Sequence, residues 1–203
     1  MDDMGAGEKS LREEYAETTR RVLLAKAKRL FASRGYEATG IEDVCRAARV
    51  TRGALYHHFK DKRALFDALV VHLQDEADHF VLERVRDIPD PVKRLERGID
   101  AYLEACGDPA FRRLVIQEGA TVLGATRFRE TEMRENQRLL MAPFAAMKRE
   151  GLLDFDDIEL FSWLVGRVIW EAAILVPESA NPKRTRKLAL EFVHRLLAAF
   201  QPR

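Results

Sequence analysis

Residues 41–59 read Ile41-Glu42-Asp43-Val44-Cys45-Arg46-Ala47-Ala48-Arg49-Val50-Thr51-Arg52-Gly53-Ala54-Leu55-Tyr56-His57-His58-Phe59. Ile41 and Val44, with Val50, Leu55 and Phe59, supply one apolar face to two short helices. Cys45 is small and sits where those helices must approach each other. Thr51 carries the hydroxyl of a helix N-cap, which accepts from a backbone N–H that the helix leaves free. The stretch predicts a helix-turn-helix. Its second helix, about 51–58, presents Arg52, Gly53, Ala54, Tyr56 and His57 outward. In such motifs the second helix lies in the DNA major groove with its N-terminal residues at base edges. Arginine can fork onto guanine, while tyrosine and histidine can donate to phosphate. The turn carries Arg49 where a left-handed backbone favours glycine, at a cost on the order of 1 kcal/mol. His58 fits either a contact or the packed interior.

Charge is concentrated around this motif. The 203-residue chain holds 34 Lys+Arg and 33 Asp+Glu, a formal net charge of +1. Residues 20–63 contain twelve basic and four acidic side chains, an excess of +8, which leaves −7 for the rest. A basic segment on an acidic body suggests a polyanion-binding module joined to a separate body. A solvated basic helix face is the plainer alternative.

Outside the motif the punctuation is helical. No proline precedes Pro89, and period-2 alternation is not evident. Asp90-Pro91, Asp108-Pro109 and Asn181-Pro182 look like helix starts, with a capping side chain followed by a proline that loses no helical bond. Ser10 with Glu13, Thr39 with Glu42, and Asp156 with Glu159 have capping-box spacing. The expectation is an all-α protein of about nine helices. They lie near 10–34, 40–47, 51–58, 62–87, 91–106, 109–123, 126–150, 157–176 and 182–200, and Pro143 should kink or split the seventh. The domains expected are an N-terminal tail over 1–15, a three-helix DNA-binding domain over 16–62, and a helical ligand-binding and dimerisation domain over 63–203.

A family resemblance rests on Thr19-Arg20, Ala27, Leu30-Phe31-Ala32-Ser33-Arg34-Gly35-Tyr36-Glu37-Ala38-Thr39, Val50 through Lys62, and Leu65-Phe66. This quarter of the chain resembles the DNA-binding domain of TetR/AcrR-type transcriptional regulators. The resemblance implies a dimeric, ligand-responsive regulator, most often a repressor, released from a palindromic double-stranded DNA operator by a small apolar or amphipathic molecule. It places Arg52, Gly53 and Ala54 near bases, with Thr51 among the DNA-binding residues, and Tyr56, His57 and Lys62 at phosphate-contacting positions, with Thr39 and Gly40 at the start of the supporting helix where hydroxyls often meet phosphate, and His58 undecided. Gly40 replaces the usual hydroxyl residue, and Glu42 reads as a cap rather than a contact.

The body resembles the family only in architecture. The helix near 157–176 is apolar around most of its circumference, so it is buried on more than one side. That fits a core helix in a monomer or a helix shared with a partner. Phe161, Val165, Val168, Leu188, Phe192 and Leu196 are the candidate homodimer residues. Candidate pocket residues are Tyr102, Gln117, Glu118, Phe128, Met133, Trp163, Arg167 and Trp170. The aromatic and Met positions are also compatible with plain core, and the polar residues inside apolar runs are the better pointers, although Arg167 with Glu171 has the spacing of a routine helix-surface pair.

Other classes fit less well. Two cysteines, Cys45 and Cys106, make neither a disulfide scaffold nor a four-ligand zinc site. Glycine-rich phosphate loops and nucleophile elbows do not occur. No cofactor, metal or catalytic residue is expected. The chain has no run of about 18 apolar residues and no apolar leader, so a cytoplasmic protein without membrane association is expected. A helical adaptor or architectural DNA protein with no ligand pocket is the remaining rival.

Overall fold

A computed structural model describes residues 11–202. The helices are α1 Leu11–Arg34, α2 Ile41–Ala48, α3 Arg52–His58, α4 Lys62–Val85, α5 Pro91–Ala105, α6 Pro109–Phe111, α7 Gly119–Leu123, α8 Ala125–Asn136, α9 Ala142–Arg149, α10 Ile158–Glu178 and α11 Pro182–Ala198. No strand occurs among the described residues. Residues 11–15, expected in the tail, are helical; the earlier tail residues and the Ser10 cap lie outside the described residues. The chain divides into two compact units between Leu69 and Val70, within α4.

The Asx–Pro starts behave as local chemistry dictates. Asp90 accepts from Val92 and Lys93 N–H, Asp108 from Ala110 and Phe111, and Asn181 from Arg184. Two helix starts with expected capping boxes are set one residue later than expected, and only the first of them closes a box. The N-cap of α2 is Gly40, whose N–H donates to Asp43 Oδ2 at 3.2 Å, so Thr39 and Glu42 are not the pair. The cap of α10 is Asp157, which accepts from Leu160 N–H at 2.9 Å, in place of Asp156.

In the first unit, Leu23, Ala27, Phe31, Val44, Leu55, Leu65 and Phe66 are fully buried. Phe31 meets Phe66 edge-on at 5.6 Å, and Tyr36 closes the same cluster at 5.1 Å from Phe66. α1 ends at Gly35, whose φ of 89° is available to glycine without a Cβ clash. Arg49 has φ 57° and ψ 42°, the left-handed geometry that its place in the turn predicts. It is the only described non-glycine residue with positive φ.

In the second unit the helices expected near 109–123 and 126–150 are interrupted. A π-helical stretch, Arg112–Gln117, separates α6 from α7, and another, Gln137–Met141, precedes α9. Pro143 falls in the first turn of α9, where its missing N–H and ring are tolerated. Gly119 admits the Phe128 ring: a Cβ there would lie 2.6 Å from Cε2. α10 is long and apolar enough, by length and composition alone, to cross a membrane, although it contains no uninterrupted run of 18 apolar residues. Its Phe161, Val165, Ile169, Ala173 and Val176 are buried inside this unit, and Arg167 and Glu171 interrupt it.

Candidate nucleic-acid interface and ligand pocket

α3 is held by its two ends. Thr51 Oγ1 accepts from Ala54 N–H at 3.1 Å, and Phe59 is buried at the far end. Leu55 faces the core, which turns Arg52, Gly53, Tyr56 and His57 to the surface with Thr51 beside them. Ala54 is half-buried at the edge. The surface is therefore one short helix edge with a guanidinium, a phenol and an imidazole around a glycine. A Cβ on Gly53 would meet nothing nearer than Thr51 Oγ1 at 3.9 Å. The fold does not require glycine there.

Arg52 is not free. Its Nη1 lies 2.9 Å from Glu42 Oε1, and its guanidinium stands 5.8 Å from the Tyr56 ring centroid. Glu42 is thus a partner of Arg52 rather than a cap. Spacing could not show this, because the two residues sit on different helices. Lys62 is also engaged: Nζ donates to Glu37 O at 3.3 Å and lies 4.2 Å over the Tyr36 ring. His58 is half-buried between His57 and Phe59, and burial lowers its pKa, with His57 and Arg20 acting in the same direction.

Two expected phosphate contacts are corrected. Thr39 is 0% exposed, and its hydroxyl donates to Gly35 O at 2.9 Å. The N–H of Gly40 is taken by Asp43. A buried hydroxyl that closes the preceding turn looks the same in sequence as one that faces DNA. Cys45 is buried, and desolvation raises its thiol pKa, which suits an inert packing residue.

The second unit encloses a cavity of about 520 Å³. That lies within the range of small-molecule sites, about 300–1,000 Å³. Tyr102, Trp163, Arg167 and Trp170 line it as expected residues. Gln117, Glu118, Phe128 and Met133 do not. Gln117 and Met133 face outward, Glu118 accepts from Arg113 Nε at 3.2 Å, and Phe128 is buried edge-on to Trp170 at 5.9 Å. Arg167 pairs with Glu132 at 2.5 Å rather than with Glu171. Glu132, Glu135 and Arg138 also line the cavity and carried no periodicity signal of their own.

The apolar surface of α10 is in a different register from the one expected, whereas that of α11 is not. Leu188 and Phe192 are exposed, at 52% and 60%. Val168 and Leu196 are half-buried. Phe161 and Val165 are core: Phe161 stacks on Phe155 at 4.3 Å and meets Phe144 edge-on at 5.0 Å. The exposed stripe on α10 is instead Leu160, Leu164 and Leu175. α10 and α11 pack against each other, so both sets belong to one helical pair.

A helix-turn-helix with an exposed second helix, followed by an all-helical unit with a mostly apolar cavity, is the architecture of a DNA-binding transcriptional regulator. The comparisons place it more narrowly. Residues 23–69 match the model of bacterial regulatory proteins of the tetR family, and residues 92–200 match the tetracyclin repressor-like C-terminal domain. The chain belongs to the TetR family, a family of regulators rather than of enzymes. It is 37% identical over 92 residues to the HTH-type transcriptional repressor BepR of Brucella suis, covering 45% of this chain and 44% of BepR. It is 34% identical over 106 residues to the HTH-type transcriptional regulator AcrR of Shigella flexneri, covering 52% and 49%. The chain therefore spans about half the length of these curated relatives. A TetR-family transcriptional regulator from Pectobacterium atrosepticum superposes with a TM-score of 0.77 at 27% identity, covering 94% of this chain and 97% of that one.

Proposed function

We propose that this protein is a dimeric transcriptional regulator, in most settings a cytoplasmic repressor, that binds a palindromic double-stranded DNA operator through α3 and is released by a small apolar or amphipathic effector. The observation that carries this reading is the exposed edge Arg52-Gly53-Tyr56-His57 on a capped, core-anchored helix. Residues 16–62 are the reading head in this proposal, and residues 63–203 bind the effector and the second copy.

Dimerisation follows from the reach of one head. A single recognition helix touches only a few base pairs, and two held about 34–36 Å apart read successive major grooves. The exposed Leu164, Leu175, Leu188 and Phe192 support an isologous contact through α10 and α11. The cavity supports an effector over the ligand-free adaptor reading. An effector that binds better to a body conformation whose heads are misplaced weakens DNA binding by no more than its differential affinity.

The test is selection of bound sites from random double-stranded DNA, followed by gel-shift titration of the enriched sequence. A palindrome bound by the wild type and lost in Arg52→Ala is the expected result. Equal affinity of the two proteins would remove α3 as the reading helix.

A further inference from the structure

The charges on the cavity wall are not equally compensated. Arg86, Arg94, Arg138 and Arg167 line it, with two acids, Glu132 and Glu135. Three of the arginines have carboxylate partners. Arg86 pairs with Glu83, Arg138 with Asp75 and Asp78, and Arg167 with Glu132. Arg94 has no acidic partner among the described residues. Its Nε donates to Ile88 O at 2.7 Å and its Nη2 to Pro89 O at 3.4 Å. Both acceptors are neutral carbonyls of the turn between α4 and α5, so they orient the guanidinium without answering its charge. Arg94 is exposed as well as cavity-lining, which puts it at the mouth.

Position along α5 orders the wall. Arg94 lines the cavity near the start of this helix, with Pro91 of the same helix end and Arg86 of the turn before it, and Tyr102 lines it further along. At a rise of about 1.5 Å per residue, Arg94 and Tyr102 lie about 12 Å apart, the span of a medium-length alkyl chain. The lining of α5 between them is Leu95, Gly98 and Ile99, without a polar side chain. Val81 and Val85 of α4 face the same stretch, their Cγ1 atoms 3.8 and 3.7 Å from where a Gly98 Cβ would stand. At the far end the Tyr102 hydroxyl donates to Glu135, and burial raises that acid to about 8, so it is mostly protonated at neutral pH. The cavity thus runs from an arginine without a counter-charge, along an apolar wall, to an acid that carries little charge.

We infer that the effector is a medium-chain amphipathic carboxylate, whose head group takes the Arg94 guanidinium at the cavity mouth and whose chain lies along Leu95, Gly98 and Ile99 toward Tyr102. This rests on the proposed effector role of the cavity. Guanidinium donors match the two oxygens of a carboxylate, and an arginine already oriented by its neighbours loses little freedom on pairing. A carboxylic acid with an ordinary pKa of about 4 is ionised at neutral pH. An alcohol of equal length covers the apolar wall and leaves the Arg94 charge unanswered. An ammonium meets arginine at the mouth and, at the far end, an acid that is mostly protonated.

The experiment titrates the whole protein at neutral pH with decanoate, decanol and decylamine, each below aggregation, by calorimetry and by tryptophan fluorescence. The wild type should bind decanoate at least about tenfold more tightly than decanol or decylamine, the effect of one charge-assisted pair. Arg94→Gln should remove that advantage and leave decanol affinity within about twofold, since the apolar wall is intact. Lys93→Gln removes an exposed neighbouring charge outside the cavity lining and should bind decanoate as the wild type does. Thermal melting checks that both variants are folded; if Arg94→Gln is not, the wild-type comparison decides alone. Decanol or decylamine bound as tightly as decanoate by the wild type overturns the carboxylate assignment and leaves the cavity as an effector site. So does unchanged decanoate binding in folded Arg94→Gln, or an equal loss in Lys93→Gln. Binding of none of the three overturns both the assignment and the effector reading on which it rests.

Discussion

Arg52 and Glu42 form a 2.9 Å ion pair across the turn of the helix-turn-helix, with both side chains more than half exposed. A pair this exposed is screened by water and adds little to stability. Its effect falls on DNA binding instead. Glu42→Gln should melt within a degree or two of the wild type, bind random DNA more tightly, and show a smaller ratio of operator to random-DNA affinity. Gel-shift titrations on both DNAs measure that ratio, and a ratio equal to the wild type's would leave the pair without a role in reading.

Gly53 separates structure from function cleanly. There is room for a Cβ, and α3 has ordinary helical geometry there. Gly53→Ala should therefore stabilise the protein by up to about 1 kcal/mol through helix propensity. If the glycine allows α3 to approach DNA, the same variant should weaken operator binding several-fold. Urea unfolding and gel shift together check both halves.

Arg49 holds the left-handed turn at φ 57° with a side chain. Arg49→Gly should raise the unfolding free energy by a few tenths to about 1 kcal/mol, because the Cβ penalty exceeds the added chain entropy of glycine at such a position. A β-branched Arg49→Val should lower it by more than that. The urea midpoint is the measurement, with the m-value expected to stay constant.

The carboxyls at the cavity wall make stability depend on pH. Burial raises Glu135 from 4.5 to about 8 in the folded protein and Asp78 from 3.8 to about 6. The sign follows from which form the fold prefers. A raised carboxyl pKa means that the folded state holds the proton more tightly than the unfolded chain. The stability is complete below the unfolded pKa and is lost as pH rises through the folded pKa. The groups facing Glu135 are Asp78 on α4, Tyr102 and Cys106 at α5, and Glu132 and Arg134 on α8, with Arg138 beside Asp78. Glu135→Gln should flatten the fall in Tm between about pH 5 and 8 relative to the wild type. Parallel Tm curves for the two proteins would contradict it.

The register of the α10 stripe gives a paired test. Leu164 is exposed and Phe161 is buried in a stack of rings. If α10 and α11 form the dimer, Leu164→Glu or Phe192→Glu should yield a folded monomer by light scattering. Phe161→Glu should unfold the second unit, since it buries a charge in place of a packed ring. A folded dimer from Leu164→Glu combined with Phe192→Glu would remove this surface as the interface.

The Asx–Pro caps were legible because a cap is a local event: Asp90, Asp108 and Asn181 reach N–H groups two or three residues away. The turn at Arg49 was legible for the same reason. Thr39 was not, because only the packing of α1 on the following loop decides whether its hydroxyl closes a turn or faces solvent. Among the pocket candidates, Trp163 and Trp170 fell on the cavity, whereas Phe128 was taken up by the gap at Gly119.

The sequence by itself determined the helical class, the three Asx–Pro helix starts, the helix-turn-helix and the basic segment, because periodicity, capping chemistry and charge are properties of neighbouring residues. Only the tertiary structure decided which side of α10 is inward, since a helix apolar nearly all round has no unique inner face. It alone decided that Arg52 meets Glu42. It alone left Glu135 as the uncompensated acid of the cavity wall, because the pairing of buried charge depends on residues brought together from α4, α5, α8 and α10 and not on spacing along any one of them.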